Sequence, residues 1–455
     1  MNERFQAGHT AQSSRKNTGL PLSAAQMEIW LATQLTESSL PYTVGESIEI
    51  NGPVDVNRFQ AALGQLVAET DALQVRIVSE DGEPRQIFGP IPKSSLQFVD
   101  FVREMNVNEA AAQFVQSELS RAMNLEQGPL FAFSLLRLEQ NRYWWLHRYH
   151  HIVVDGLSMG FLARRAAAIY TAIGRGQVEA EGNSGSIRLL LGDDDAYRSS
   201  SQFDRDKAYW TGQVADAPLP VSLTGRTATS TAHHIRHSGV LPLTAIEPFL
   251  SEGNVGRDAA SLAVAVMAAY LARLSNVDDI VLKLPVRSRS REENRSSVVG
   301  MSANLLPLRL QVKRNGSFQT LIQQASSEIH ELLRHQMYRG AELYTRADNS
   351  SADSLSSGCG VNVMAFDYNF FFDDSPVRVN KFIRGLADDL TFVLYKATAA
   401  DLQIDLFGNS SLYSAAELEF HHRRITHLLQ AVAAKPEAKV GSIDVLLPSE
   451  RRLLL

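Results

Sequence analysis

The chain has 455 residues, a formal charge of −6 from 44 Lys and Arg against 50 Asp and Glu, and 44% hydrophobic residues. That is the make-up of a globular protein of about two to three compact units, and so mild and evenly mixed a charge argues against a nucleic-acid binder or a polybasic membrane module. The single cysteine, Cys359, excludes an internal disulfide framework and fits a reducing compartment.

Residues 1–19 are polar throughout, lack the apolar core of a secretory signal and read as a disordered lead. Order is expected from Leu20. Asp55 followed by Phe59, Leu63, Leu66 and Val67 predicts a capped amphipathic helix. Arg142 to His150 is dense in aromatic residues over the length of a strand; Asp155-Gly156 then reads as a turn, and Phe161 to Tyr170 as a helix. Between about Gly174 and Asp195 the composition shifts to Gly, Ser, Glu and Asp, which predicts a solvated connection between two halves. Asp258 to Leu274 is Ala-rich and reads as a helix buried in protein. No apolar run reaches the roughly 18–20 residues of a membrane span. Ile280 to Val286 and Leu305 to Val312 are expected strands. Ser414-Ala-Ala-Glu417 forms a capping box ahead of a helix that places Leu418, Ile425, Leu429 and Val432 on one face, with Pro436 past its end.

The segment richest in chemistry is His147-Arg-Tyr-His150-His151-Ile-Val-Val-Asp155-Gly156-Leu-Ser158-Met-Gly160. Adjacent histidines on a strand point to opposite faces, so one of His150 and His151 at most addresses a given cleft. A packing role for the histidines is the bland reading. A metal reading would use His147, His151 and Asp155, but their i, i+4 spacing helps only on a helix, and the aromatic pattern here is that of a strand. Gly156-Leu-Ser158-Met-Gly160 also matches the G-x-S-x-G nucleophile elbow, which would need a downstream acid and a histidine such as His335 or His427. Segments elsewhere in the chain weigh against that reading.

His150-His151-x-x-x-Asp155-Gly156 resembles the HHxxxDG signature of the condensation domains of nonribosomal peptide synthetases, relatives of chloramphenicol acetyltransferase. Further blocks follow the family's order. Ser23-Ala24-Ala25-Gln26 with Trp30 resembles its opening S-x-A-Q-x-x-x-W. Glu69 to Ile77 is similar to its second block, with Thr70-Asp71 where His-Glu is usual and Gln74 where Arg is usual. Pro285-Val286-Arg287-Ser288-Arg289 resembles P-V-x-G-R with Ser for Gly, and Gly300-Met301-Ser302-Ala303-Asn304 resembles G-x-F-x-N with Ser302 for Phe. His335-Gln336 with Glu342 is similar to H-Q-x-x-P-F-E, although Arg339-Gly340-Ala341 replaces the Pro-Phe portion. Val361-Asn362-Val363-Met364 resembles the late V-M-F block, and Ile443 to Leu453 the segment that hands over to a next module.

The resemblance covers about residues 20–455. It implies an α/β fold of the α+β type: two chloramphenicol-acetyltransferase-like lobes in a V-shaped pseudodimer with a tunnel between them. The expected layout is an N-terminal lobe over 20–180 with the HHxxxDG loop, a C-terminal lobe over 190–447, and the start of a linker over 448–455. No phosphopantetheine-attachment serine is evident, so the implied partners are separate carriers. They are a peptidyl carrier protein presenting the acceptor, acyl-CoA or an acyl carrier protein as donor, and an adjacent adenylation domain. No metal and no covalently bound cofactor is expected; the phosphopantetheine arm and acyl-CoA enter as substrates, in the cytoplasm. If Met1 is the native start, no donor arrives from upstream. With the local forms Tyr197-Arg198 through Trp210 and His335 to Gly340, that points to a starter domain that N-acylates the first amino acid. An elongation domain, a free-standing acyltransferase of the same superfamily, an epimerisation domain and a catalytically degenerate docking module are the alternatives.

Amide formation from a thioester needs a neutral amine, a tetrahedral intermediate and a stabilised oxyanion. An α-amine with a pKa of roughly 7.7–8 is already about a tenth neutral at pH 7, so a strong base is not demanded. His151 is expected to position the amine, with proton removal by its imidazole as a second possibility. His150 and Gly156 complete the expected catalytic set, Gly156 by letting a backbone N–H reach the oxyanion. The resemblance implies that Asp155 pairs with Arg289 in a structural role. Asn304, Asn362, Ser158 and Trp30 are expected along the substrate tunnel.

Overall fold

The computed structural model describes residues 19–36, 40–89, 96–177, 185–226, 228, 231, 234–251, 254–289, 297–344, 358–364, 370–382, 387–398 and 400–454. The expected lead over 1–19 therefore lies outside the described residues except for Gly19. The first half runs β1 (Leu20–Pro21), α1 (Ala24–Thr36), β2 (Thr43–Asn51), α2 (Val56–Glu69), β3 (Val75–Glu80), β4 (Glu83–Phe88), β5 (Gln97–Asp100), α3 (Val107–Leu119), β6 (Phe131–Glu139), β7 (Arg142–His150) and α4 (Gly156–Gly174). Helices α5 (Arg188–Arg198) and α6 (Ser201–Val214) lead into β8 (His234–Pro242), α7 (Val255–Ser275), β9 (Asp279–Arg287), β10 (Ala303–Gln311), α8 (Phe318–Arg334) and α9 (Gly340–Tyr344). Then follow β11 (Gly360–Met364), β12 (Phe371–Phe372), β13 (Ser375–Phe382), β14 (Leu390–Lys396), β15 (Asp401–Asn409), α10 (Ala415–Ala434) and α11 (Pro448–Leu454).

Two six-stranded sheets organise these elements, one in the order β12-β13-β2-β7-β6-β5 and one in the order β10-β9-β11-β14-β15-β8. Strand β7 shows why the first sheet forms. Tyr143, Trp145, His147 and Tyr149 turn into the first core beneath α2 and α4, and Leu146, with the partly buried Trp144, packs beside α3 on the other face. A strand covered on both faces dispenses with the apolar-polar alternation of a half-exposed one. In the second lobe α7 is apolar all round because the sheet and helices α8 and α10 enclose it; Leu262 to Ala272 are at most 1% exposed. It is long and apolar enough to cross a membrane, yet 72% of its apolar window is buried inside the protein.

Local capping follows the sequence. Asp55 accepts the Arg58 N–H at the head of α2, and Ser414 and Glu417 form a reciprocal capping box on α10. Two segments differ from the sequence reading. Asp155-Gly156 is not a free turn: Asp155 caps α4 and Gly156 is its first residue, because the Asp155 carboxylate satisfies the Ser158 N–H that the helix leaves unpaired. The solvated connection is shorter than expected, since α5 begins at Arg188, Ile187 and Leu190 bury in the first core, and of its acids Asp195 is exposed while Asp194 accepts the Ala24 N–H (2.7 Å).

Lobe membership is not contiguous in sequence. Strand β13, from the second half, pairs antiparallel with β2, placing Val379 opposite Ile48 and Arg378 opposite Glu49. Val298, Val299 and Met301 also bury in the first core. Among the described residues, the second half thus reaches into the first lobe at two places, and the His150–Gly156 loop lies beside one of them.

Candidate active site

The His-His segment begins as sheet and ends as a helix cap. His150 donates its backbone N–H to Leu130 O (2.9 Å) and His151 to Tyr42 O (2.7 Å), so strand-like pairing persists one residue beyond β7. Val153 N–H then closes a turn onto His150 O (3.1 Å), and Ile152, Val153 and Val154 are 0% exposed. From α1, the Gln26 side chain donates to Ile152 O (3.1 Å) and fastens the loop from outside. Gln26 was legible only as part of a motif; its positioning role requires the fold.

The two histidines have unlike environments. His150 is fully buried, and its Nδ1 accepts the Ile152 N–H (3.2 Å). Burial, and then the neighbouring His151, pull its pKa down to about 3, so the ring stays neutral. Expected among the catalytic residues, His150 instead has no surface to offer a substrate, and we assign it a supporting place. His151 is half-buried, and its Nδ1 lies 2.8 Å from Val154 O. A carbonyl only accepts, so Nδ1 carries the proton and the lone pair of the neutral ring lies on Nε2. The backbone therefore fixes a tautomer able to accept a proton or hydrogen bond at Nε2.

Asp155 sits at the centre of a closed polar network. Its Oδ1 accepts from Ser158 N (2.9 Å) and Ser158 Oγ (2.8 Å), and its Oδ2 from Arg289 (2.9 Å) and Ser302 Oγ (2.7 Å). Arg289 further donates to Gly300 O (3.0 Å), to Ser302 Oγ and to Val298 O. Burial raises the Asp155 pKa, but the Arg289 charge and the hydrogen bonds from Ser158 and Ser302 outweigh it and leave the carboxyl below its usual value. A carboxylate so occupied is a poor general base and a strong tether from α4 to Arg289 and Ser302.

The remaining expected residues divide. Ser158 is 1% exposed and its hydroxyl is held by Asp155 and Gly300, so it is neither a wall residue nor an elbow nucleophile; its strand-to-helix context is that of a cap. Asn304 is also spoken for: its amide donates to Gln336 O (2.9 Å) and Tyr338 O (2.7 Å) and accepts Gly340 N–H (2.9 Å). It shapes the loop ahead of α9, where a Cβ at Gly340 would stand 2.0 Å from Leu305 O. Asn362 is half-buried opposite Val393, and Trp30 packs partly buried against the first core. Gly156 opens α4 directly after the loop, and of the first-turn N–H groups there Ser158 N–H is taken by Asp155. Arg339 clamps Glu28 of α1 in a two-pronged ion pair, a second tie between the lobes that the sequence did not announce. Among the described residues, no group of three or more His, Cys, Asp or Glu side chains is arranged for a metal ion.

Comparison with known proteins agrees with this architecture. The condensation-domain family model matches residues 16–455. The chain belongs to the condensation-domain family. It is 33% identical over 449 residues to the dimodular nonribosomal peptide synthase of Bacillus subtilis (strain 168), covering 97% of this chain and 18% of that protein. It is likewise 33% identical over 429 residues to the isonitrile lipopeptide synthase of Streptomyces coeruleorubidus, covering 93% and 29%. This condensation domain therefore spans less than a third of either relative. Among solved structures, a variant of the starter condensation domain of rhizomide synthetase in complex with C8-CoA superposes with a TM-score of 0.88 at 33% identity, covering 94% of this chain and 98% of that one. The first condensation domain of the calcium-dependent antibiotic synthetase gives 0.86 at 29% identity, covering 94% and 99%. The family forms amide bonds, and its chloramphenicol-acetyltransferase-like fold is the one described above.

Proposed function

We propose that this condensation domain is a starter domain, which moves a fatty or short acyl group from acyl-CoA, or from an acyl carrier protein, to the α-amine of an aminoacyl thioester on a peptidyl carrier protein. The observation that carries the reading is the likeness to rhizomide starter-domain structures, one of which holds C8-CoA and another C8-CoA with Leu-SNAC. An adenylation domain of the parent synthetase would load the acceptor carrier, and the reaction takes place in the cytoplasm. The substrates meet in a tunnel between the lobes.

In this reading His151 Nε2 accepts a hydrogen bond from the incoming amine. The amine nitrogen attacks the thioester carbonyl, the C–N bond forms, and the surplus ammonium proton passes to Nε2. Backbone N–H groups at the head of α4, Gly156 among them, face the oxyanion. Collapse breaks the C–S bond, and Nε2 returns its proton to the departing thiolate, leaving His151 neutral for the next turnover. Asp155 and Arg289 hold the loop and the lobes together and take no proton.

The test is intact-protein mass spectrometry of an aminoacyl-loaded carrier incubated with a panel of acyl-CoA donors and with a loaded acyl carrier. A mass gain of one acyl group with an acyl-CoA or with the loaded acyl carrier is the expected result. Transfer only from a peptidyl or aminoacyl carrier would contradict the starter role and make this an elongation domain.

A further inference from the structure

Beside the reactive loop, two polar atoms are buried without a hydrogen-bond partner among the described residues: Thr43 Oγ1 and His150 Nε2. Both residues are 0% exposed. They stand directly opposite one another on β2 and β7, so their side chains leave the sheet on the same face with Cβ atoms roughly 4.5–5.5 Å apart. Buried polar groups in folded proteins are almost always satisfied, and two such atoms on directly opposed residues of one sheet face need an explanation.

The chemistry of the pair is complementary. Ile152 N–H occupies His150 Nδ1, so the neutral ring carries its proton on Nε2, and the low pKa keeps it neutral across the working range. Nε2 is thus a fixed donor, while the Thr43 hydroxyl both donates and accepts. Arg148 Nε, two residues back on the same face of β7, is also buried without a partner among the described residues, while Glu118 and Arg121 O hold the rest of that guanidinium. Such a lining suits an ordered water, whereas an apolar void would stay dry.

We propose that one ordered water bridges Thr43 Oγ1 and His150 Nε2–H, and that Thr43 is thereby a positioning residue for His151. The water holds the His150 ring in plane, and the ring holds Ile152 N–H through Nδ1. The turn so fixed carries Val154, whose carbonyl sets the His151 tautomer. Thr43 touches no substrate; it acts through His150 and the turn. The kinetic part rests on the reading of His151 given above, whereas the tautomer and the water do not.

Thr43→Val removes the hydroxyl at nearly constant shape, and Thr43→Ser keeps it. Valine should lower kcat about tenfold through a misplaced His151, with little change in either KM, and serine should restore it. In 15N-histidine NMR spectra of the parent, His150 should appear as the Nε2–H tautomer with an exchange-protected proton, protection that is lost in the valine variant and kept in the serine variant. A high-resolution crystal structure should place a water within hydrogen-bond distance of both atoms. An Nδ1–H tautomer for His150, or a crystal structure with Thr43 and His150 in direct contact and no water between them, overturns the bridge. A valine variant with the parent kcat and an intact Nε2–H signal overturns the role of Thr43. If the valine variant fails to fold, the parent spectrum and the serine variant still decide the matter. If no substrate pair gives condensation, the reading of His151 fails while the NMR and crystallographic results stand on their own.

Discussion

Among the described residues, two of the junctions between the lobes are of opposite character. Near the His150–Gly156 loop the junction is closed: Asp155, Ser158, Arg289, Gly300 and Ser302 spend their polar atoms on one another, and Arg289 and Asp155 are at most 5% exposed. At the far end, Ser47, Glu49 and Trp144 of the first sheet face Arg236, Ser238 and Gln403 of the second across a cavity of about 290 Å³, with Arg378 and Asn380 of β13 on its wall. One end is closed and over-determined, and the other is open and polar. The His150–Gly156 loop is therefore fixed where the lobes are locked, and any relative adjustment between them is cheapest where they are not.

Removing one partner from the closed junction should have the largest structural effect. Arg289→Ala leaves Asp155 buried without its cation, and Asp155→Asn does the converse; each should cost about 3–5 kcal/mol. A lowered urea midpoint and soluble yield, together with lost activity, is the expected outcome. A variant as stable as the parent yet inactive would return Asp155 to the reacting groups.

Acid should attack the same end. The buried His150 stays neutral down to about pH 3, whereas in the unfolded chain it takes a proton near pH 6.5. Between those values the unfolded state binds the extra proton, so the contribution is fully present above pH 6.5. It is lost at about 1.4 kcal/mol per pH unit as pH falls. His421, pulled to about 4 by burial and then Arg424, adds a similar slope over its own window. Urea midpoints measured against pH should fall more steeply below 6.5 for the parent than for His150→Gln, and equal slopes would remove His150 from the account.

The Glu28–Arg339 clamp lies between the extremes, with Arg339 buried and Glu28 partly open. Arg339→Ala should cost about 1–3 kcal/mol in chemical denaturation. At the open end, Arg378 is exposed and Arg378→Gln should shift stability by no more than about 0.5 kcal/mol. A loss there as large as that of Arg289→Ala would show that the two junctions do not differ.

What the sequence disclosed follows the same division between local and distant effects. Capping by Asp55 and the Ser414–Glu417 box are local, and both are found where residue type and spacing put them. The Asp155–Arg289 pair spans 134 positions and came only through the family resemblance. Ser158 and Ser302 were quoted in motifs, but that they complete the coordination of one carboxylate depends on how α4 approaches β10. The crossing of β13 to β2 was illegible, because pairing residues 331 positions apart leaves no periodic trace. The two histidines were predicted to face opposite ways, but which one faces a cleft is decided by the buried turn after them.

The most direct test is the single-turnover rate of acyl transfer from acyl-CoA to an aminoacyl carrier for the parent and for His151→Ala, with folding checked by denaturation. The account predicts a fall of at least about a hundredfold with the urea midpoint preserved. Transfer by the folded His151→Ala variant at close to the parent rate would contradict it, leaving His151 as a bystander on a well-placed turn.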